Sequence, residues 1–523
     1  MKITYILFLL AFSFSLQGQD ILWEKSYGGT YGDYLLDAIP TADYGFILAG
    51  SSVSDNTGTK KEKNKGHLDY WLWKMDEHGS LVWEKDLGGS GVDLLNQVIA
   101  TRDGGYLLAG TSTSPADGDK KEAAVGGQDY WVIKLHADGT EQWQKTLGGV
   151  GNDQLITAIE LPDGGYVLAG SSDSPASAQK ELDSFGNVDY WLIQLTAEGT
   201  MEWETTLGGL YKDTPKALVA VPNKGLYVLG YSNSDEGEGK QLEGKGMGDF
   251  WLVHLDFGGT KLWEKVYGGE DDDEPTTLVA RQGGGLWLGG ISNSSNTGNK
   301  QTQTRKGTDL WLLEVDEQGT VLEEYTYNFG KYDVLTSMVA NSDGSLLLGG
   351  YAKSEKLGKK MSDKRGINDY IALKIDAEGE VLWKQQVGSS GNDYLQRVFK
   401  TREGGYVLAG TSNGKVSRDK NGAQGAYDFW LVKLGDEDND DDEGANLVEA
   451  YPNPTSGFTN IVITEPFERG EAFLFDIQGR LLQQYPLTER TLAINLAGLP
   501  VGVYLVNIET DTVQSSVKIL KKD

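Results

Sequence analysis

The chain has 523 residues with 70 Gly, 14 Trp and 25 Tyr, no Cys, and a formal net charge of -30. The lack of Cys excludes disulfides, thiolate metal sites and lipid attachment at an N-terminal Cys. An excess of 77 acidic over 47 basic residues repels phosphate backbones, so nucleic acid is not an expected partner.

Residues 1–18 read as a signal peptide. Lys2 supplies the positive end, and Ile6 to Leu16 is an apolar run too short to span a membrane. Cleavage is expected between Gly18 and Gln19. Nothing later has the length of a transmembrane helix, so the mature chain is expected to carry no such segment.

The next four hundred residues repeat. Copies of the stretch Asp103 to Gly110 end at Gly50, Gly110, Gly170, Gly230, Gly290, Gly350 and Gly410, at a constant spacing of 60 residues. A fixed period of this size marks units that bury their apolar faces only by packing on one another. In the second unit, Leu94 to Thr101 and Tyr106 to Ser112 read as strands around the turn Arg102 to Gly105. After a polar loop, Asp129 to Leu135 and Glu141 to Thr146 read as two more strands around Ala137 to Gly139.

Four antiparallel strands make one blade of a β-propeller. The repeats open on a strand of the fourth type, Ile21 to Lys25, and the seventh unit stops after its third, Asp428 to Leu434. The expected fold is therefore all-β, a seven-bladed propeller over residues 19–434 with the N-terminal strand completing the last blade. An open solenoid would leave sheet edges exposed at both ends. In the closed ring the first strand of each blade lies at the axis, and the Gly-rich linkers share one face with the long loops.

Residues 435–445 form an acidic, self-repelling linker. Asp438, Asp440 and Asp442 alternate as at the start of a calcium loop, but Glu443 stands where such a loop needs Gly. No cofactor is expected, and calcium is the one ion with a partial motif. Residues 446–523 read as a separate, small, β-sandwich-like domain.

This last domain carries four motifs in order: Tyr451 to Gly457, Leu474 to Leu481, Leu499 to Val506, and the Lys-rich end from Val517 to Lys522. It resembles the type A sorting domain of the type IX secretion system of Bacteroidetes, with Pro452, Asn453, Pro454, Gly457, Gly479, Gly502, Tyr504 and Lys518 at motif positions. The resemblance implies the secretion machinery as a partner, and release or attachment at the outer surface of a Gram-negative cell. The repeats are similar to Gly- and Asp-rich propeller repeats of proteins exported by the same bacteria, a group with no single activity.

Two Asp columns, beginning at Asp33 and Asp69, and a Lys column beginning at Lys60 recur in every unit. They are expected to brace loops, with each carboxylate accepting backbone N–H groups and each Lys paired locally or solvated. The aromatic pairs on third strands, such as Tyr130-Trp131, read as core. Blade-specific residues are the better guide to a site. Tyr211, Lys212, Asp271, Asp272 with Glu274, Phe329 and Tyr332 lie in linkers near the axis and are the candidates for binding an extracellular glycan or protein.

The sixth unit reads as irregular, with Glu323 and Ile371 where Trp is usual. His67, His78, His136 and His254 show no ligand spacing, and there is no nucleophile elbow or phosphate loop, so no catalytic residue is assigned. The expectation is a non-enzymatic binding module. A secreted glycan-active enzyme with its site on the long-loop face and a structural surface component are the alternatives.

Overall fold

The computed structural model describes residues 18–522 except 42, 282, 306, 354–366, 402–403, 436–446, 452, 456, 466 and 489. The body of the signal peptide, Asp438 to Asp442 of the calcium reading, Lys360 and Pro452 therefore lie outside the described residues. Among those described, no helix is long and apolar enough to cross a membrane.

Seven four-stranded antiparallel sheets follow one another along the chain. In blade 1 they are Asp33–Pro40, Phe46–Ser52, Asp69–Met75 and Leu81–Leu87, and blades 2 to 6 repeat that order. Blade 7 takes Asp393–Lys400, Tyr406–Ser412 and Asp428–Leu434, and its outer strand is Ile21–Tyr27 from the other end of the chain. Trp23 pairs with Lys433 and Tyr27 with Phe429, in the register that Trp83 and Leu87 adopt against Lys74 and Tyr70. The second and third strands are covered on both faces by neighbouring blades, which is why they are continuously apolar rather than alternating.

The sevenfold Gly column has a steric cause. The first strand of each blade carries a bulge, between Leu95 and Gln97 in blade 2, that turns a carbonyl toward the second strand. A Cβ on Gly110 would overlap the carbonyl oxygen of Leu94 and the Tyr70 hydroxyl, and every other Gly of the column faces the matching carbonyl. Backbone cannot yield there, so Gly110→Ala is expected to cost about 3 kcal/mol in urea unfolding. Gly237→Ala, where a Cβ would meet nothing within 4 Å, is expected to leave the midpoint unchanged.

Adjacent inner strands are tied around the axis. The Asp37 carboxylate accepts the Val98 N–H at 3.1 Å, Gln97 accepts the Ala158 N–H at 2.7 Å, and the Ser337 hydroxyl accepts the Val398 N–H at 3.2 Å. The ring closes where Arg397 of blade 7 pairs with Asp37 of blade 1 at 3.0 Å.

The two irregular positions are explained by packing, and they fall in different blades. Glu323 belongs to blade 5, not the sixth unit. In blades 1 to 4 a fourth-strand Trp lies over the turn Gly of the next blade, as Trp143 does over Gly199, and in blade 5 Tyr325 covers Gly379 instead. Ile371, in blade 6, removes an indole N–H. In five of the other six blades that N–H donates to a fourth-strand acceptor, as Trp71 does to Glu84 at 3.0 Å and Trp131 to Gln144 at 3.1 Å, Trp251 of blade 4 being the exception. Blade 6 has Lys384 in the acceptor's place, so donor and acceptor are replaced together.

Residues from Val448 onward form two further sheets. Val448–Tyr451, Phe458–Ile463 and Thr491–Asn495 make one, and Leu481–Leu487, Gly470–Asp476, Gly502–Thr510 and Gln514–Lys521 the other. Ile461, Leu474, Ile494, Val506, Ile508 and Ile519 fill the core between them.

Candidate functional site

The repeated polar columns are structural. Asp93 accepts the Gly89 N–H at 2.8 Å and the Ser114 hydroxyl at 2.9 Å, and the same linker and loop contacts recur at Asp153, Asp213 and Asp273. The second Asp column accepts loop N–H groups, for example Arg305 to Asp309 at 2.8 Å and Gln424 to Asp428 at 2.9 Å. Burial raises the carboxyls of Asp93 and Asp153 in the first column and of Asp129 and Asp249 in the second above their usual range.

Of the two expectations for the Lys column, local pairing and not solvation is what the structure shows. Lys60, Lys120, Lys180, Lys240, Lys300 and Lys420 are all buried. Each stands under a long loop: Lys60 donates to Asp86 at 2.6 Å and to the Glu62 carbonyl at 2.9 Å, and Lys300 donates to the Thr302 carbonyl at 2.8 Å. Several lie over the third-strand indole, Lys120 at 5.5 Å from Trp131 and Lys300 at 5.3 Å from Trp311.

One asymmetry is not a packing repair. In blades 7, 1 and 2 a small hydroxyl on the second strand reaches the inner strand of the next blade: Thr411 accepts the Leu35 N–H at 2.8 Å, Ser51 that of Leu95 at 3.0 Å, and Thr111 that of Leu155 at 3.1 Å. Around the rest of the ring this stitching stops. Pro215 and Pro275 stand in the Leu column and have no N–H to give, and Tyr231, Ile291 and Tyr351 replace the hydroxyl residues in blades 4 to 6. All three are partly exposed at the linker end of the inner strands.

Charged groups of both signs surround these tyrosines. The Tyr231 hydroxyl donates to Asp272 at 3.3 Å, and the Lys212 ammonium lies 5.9 Å from the Tyr231 ring centre. Burial, then the charge of Asp272, pushes the Tyr231 phenol up to about 12. Lys216 is the bulged residue of the blade 4 inner strand, exposed to solvent yet closely surrounded by protein. That surrounding holds its ammonium below the usual lysine range, with Glu274 opposing the shift and Lys212 adding to it. Glu274 also acts on both Tyr231 and Tyr351, and Tyr351 meets Tyr394 edge-on with ring centres 5.1 Å apart.

Of the linker residues singled out by sequence, Lys212 and Asp272 join this cluster. Tyr211 and Tyr332 stand exposed on their linkers, and the ammonium groups of Lys331 and Lys353 lie 5.3 and 5.6 Å from the Tyr332 ring centre. Asp271 is exposed and its N–H donates to Ser294 at 3.0 Å. Phe329 is half-buried and packs against the core shared by blades 5 and 6. Sequence reading passed over Lys216, Tyr231, Tyr351 and Tyr394. For Tyr231 and Tyr351 the signal was a large side chain in a column that holds Ser or Thr in blades 1, 2, 3 and 7, visible once the units are aligned, whereas Lys216 and Tyr394 stand in columns of mixed residue type that give no such signal. Among the described residues, no group of three or more His, Cys, Asp or Glu is placed to hold a metal. His254 stacks on Tyr227 with ring centres 4.1 Å apart.

In the C-terminal domain the motif residues hold the last strand in place. Asn453 donates to the Lys518 carbonyl at 2.7 Å and accepts the Leu520 N–H at 2.8 Å, with Pro454 next in the chain. The Gly457 carbonyl accepts the Leu496 N–H at 2.6 Å, and Gly479 takes the positive φ of 78° that its turn requires. Gly502 opens the strand in which the Tyr504 hydroxyl donates back to Pro500 at 2.5 Å. The Lys518 side chain is exposed, whereas Lys521 is buried and donates to the carbonyls of Leu496 and Ala497 at 2.8 and 3.0 Å.

Residues 449–522 match the family model described as a secretion system C-terminal sorting domain. The chain is 24% identical over 410 residues to the regulatory protein FlaEY of Caulobacter vibrioides, an alignment that covers 72% of this chain and 41% of that protein. It thus spans less than half the length of this curated relative. Similar solved structures include the WD40 domain of Neurospora crassa Pan2, at a TM-score of 0.41 and 8% identity over 81% of this chain and 99% of that one. YCF48 bound to D1 peptide gives 0.41 and 9% over 82% and 100%. The fold rests on the sheet order described above rather than on these scores. Residues 449–522 belong to the secretion sorting-domain family, and the chain that carries them is a propeller protein delivered by the type IX system to the cell surface or the extracellular space.

Proposed function

We propose that the propeller is a non-enzymatic binding module that engages an extracellular ligand at the linker and long-loop end of its axis. The observation that supports this reading is the replacement of Ser and Thr by Tyr231, Ile291 and Tyr351 across blades 4 to 6. Hydroxyl stitching ties blades 7, 1 and 2 to their neighbours, and blades 4 and 6 carry half-exposed tyrosines in its place. Exposed aromatic rings beside charged groups are the usual content of a recognition surface.

The test is a combined glycan and peptide array probed with the mature protein and with Tyr231→Ser/Tyr351→Ser. Those substitutions restore what other blades carry, so the melting temperature is expected to hold while saturable binding falls at least tenfold. Binding indifferent to the two tyrosines overturns the site, and release of products from any array ligand overturns the non-enzymatic reading.

A further inference from the structure

The charges at the axial mouth are held apart rather than paired. Lys212 and Lys216 come from the linker and inner strand of blade 4, and Asp272 and Glu274 from those of blade 5. Among the described residues, none of the four has an opposite charge within 4.0 Å. Elsewhere the protein does pair such groups, as in Lys134 with Asp103 at 2.9 Å and Arg281 with Glu314 at 2.8 Å. Tyr231 separates the two signs, with the Lys212 ammonium on its ring side and Asp272 at its hydroxyl. The two lysines and two acids of these adjacent blades sum to zero charge, although the whole chain carries -30.

We infer that this mouth binds a dipolar ligand, a short peptide with free termini, whose carboxylate meets Lys212 and Lys216 and whose ammonium meets Glu274 beside Tyr231 and Tyr351. The inference deepens the binding-module reading and rests on it. Each feature fits one end of such a ligand. Lys216 stands on the blade 4 bulge, exposed and with no opposite charge within 4.0 Å among the described residues, so an incoming carboxylate supplies a partner that the fold does not. Glu274 lies within electrostatic reach of two tyrosines, and a desolvated ammonium is stabilised by a carboxylate and by the faces of aromatic rings together. A polyanion would meet Asp272 and Glu274, and a polycation the two lysines. A ligand bearing one charge of each sign meets neither penalty.

The experiment is calorimetric titration of the mature protein with trialanine, N-acetyltrialanine and trialanine amide. Free trialanine is expected to bind at least tenfold more tightly than either capped form. In Glu274→Gln the preference over N-acetyltrialanine is expected to vanish while the preference over the amide remains, and in Lys216→Gln the reverse. That crossed pattern reads ligand orientation, and a general loss of folding does not produce it. Failure of free trialanine to bind, equal affinity for all three, or a preference that survives both substitutions overturns the inference. Saccharide binding that is lost in Tyr231→Ser but insensitive to Glu274→Gln and Lys216→Gln overturns it too, while leaving the binding-module reading intact.

Discussion

Removing residues 21–27 is expected to abolish cooperative unfolding of the propeller. This strand is the outer edge of blade 7 and also a bridge between blades. Its Glu24 carboxylate accepts the Trp430 indole N–H at 2.8 Å and the Asn421 N–H at 3.1 Å, and its Ser26 hydroxyl donates to the Gly422 carbonyl at 2.9 Å. On the blade 1 side the Tyr27 hydroxyl donates to Gly79 at 2.7 Å, and the Tyr27 ring lies 4.8 Å from that of Trp73. Losing the strand leaves a buried indole without its acceptor and exposes a sheet edge. The combined loss, roughly 5 kcal/mol or more, is comparable to the whole stability of a typical domain. Differential scanning calorimetry is expected to show a broad, low-temperature transition, and a synthetic peptide of residues 19–29 added in trans to restore part of the sharp one. An unchanged sharp transition would mean that six complete blades hold the ring without the closing strand.

The second large effect is expected at Lys60. Its ammonium and the Asp86 carboxylate are both fully buried and 2.6 Å apart, and Lys65 reaches Asp86 only at 3.6 Å. Lys60→Met keeps the stem but strands a buried carboxylate, for a loss of about 3 kcal/mol at pH 8. The pH dependence has a definite sign. Burial pushes the Asp86 carboxyl up to about 7 against Lys60, which lowers it, and Asp69 raises it further. A carboxyl raised in the folded state is not penalised below its unfolded value of 3.8, and the penalty grows as pH rises through about 7.

The wild-type protein is therefore expected to melt at a higher temperature at pH 5 than at pH 8, with Asp93, Asp153, Asp189 and Asp249 contributing in the same direction. In Lys60→Met the carboxyl loses the cation that lowered it and stays protonated further up the scale. The gap in melting temperature between variant and wild type is expected to be smaller at pH 5 than at pH 8. A gap independent of pH would place the cost in the lost contact with the Glu62 carbonyl instead of in the stranded charge.

The fold was legible in the sequence because a propeller writes its symmetry into one dimension. A constant period, an alternation of turn and strand within it, and a leftover strand type at each end are all local patterns, and together they leave one way to satisfy every sheet edge. The sorting domain was equally legible, since its motif residues Asn453, Gly479 and Tyr504 serve turns and strand contacts that need those residue types.

The repeat also hid things, because equal positions in successive units invite the same reading for all of them. The Lys column read as locally paired or solvated, and only its burial under the loops decides for pairing, since a blade stacked on both sides leaves a long polar side chain no route to water. Glu323 and Ile371 looked like drift, but their compensations are Tyr325 on the same strand and Lys384 on the neighbouring strand of the sheet.

What the chain alone settled was the architecture and the export address, both carried by residues close to one another in sequence. What only the folded ring decided was the neighbourhood of the axis, where Lys216, Tyr231, Glu274, Tyr351 and Tyr394 from blades 4 to 7 face one mouth. Side chains that meet there lie tens of residues apart and belong to successive blades, so no local pattern records their contact. The stacking of one blade on the next is what brings Lys212 and Asp272 to the two ends of Tyr231.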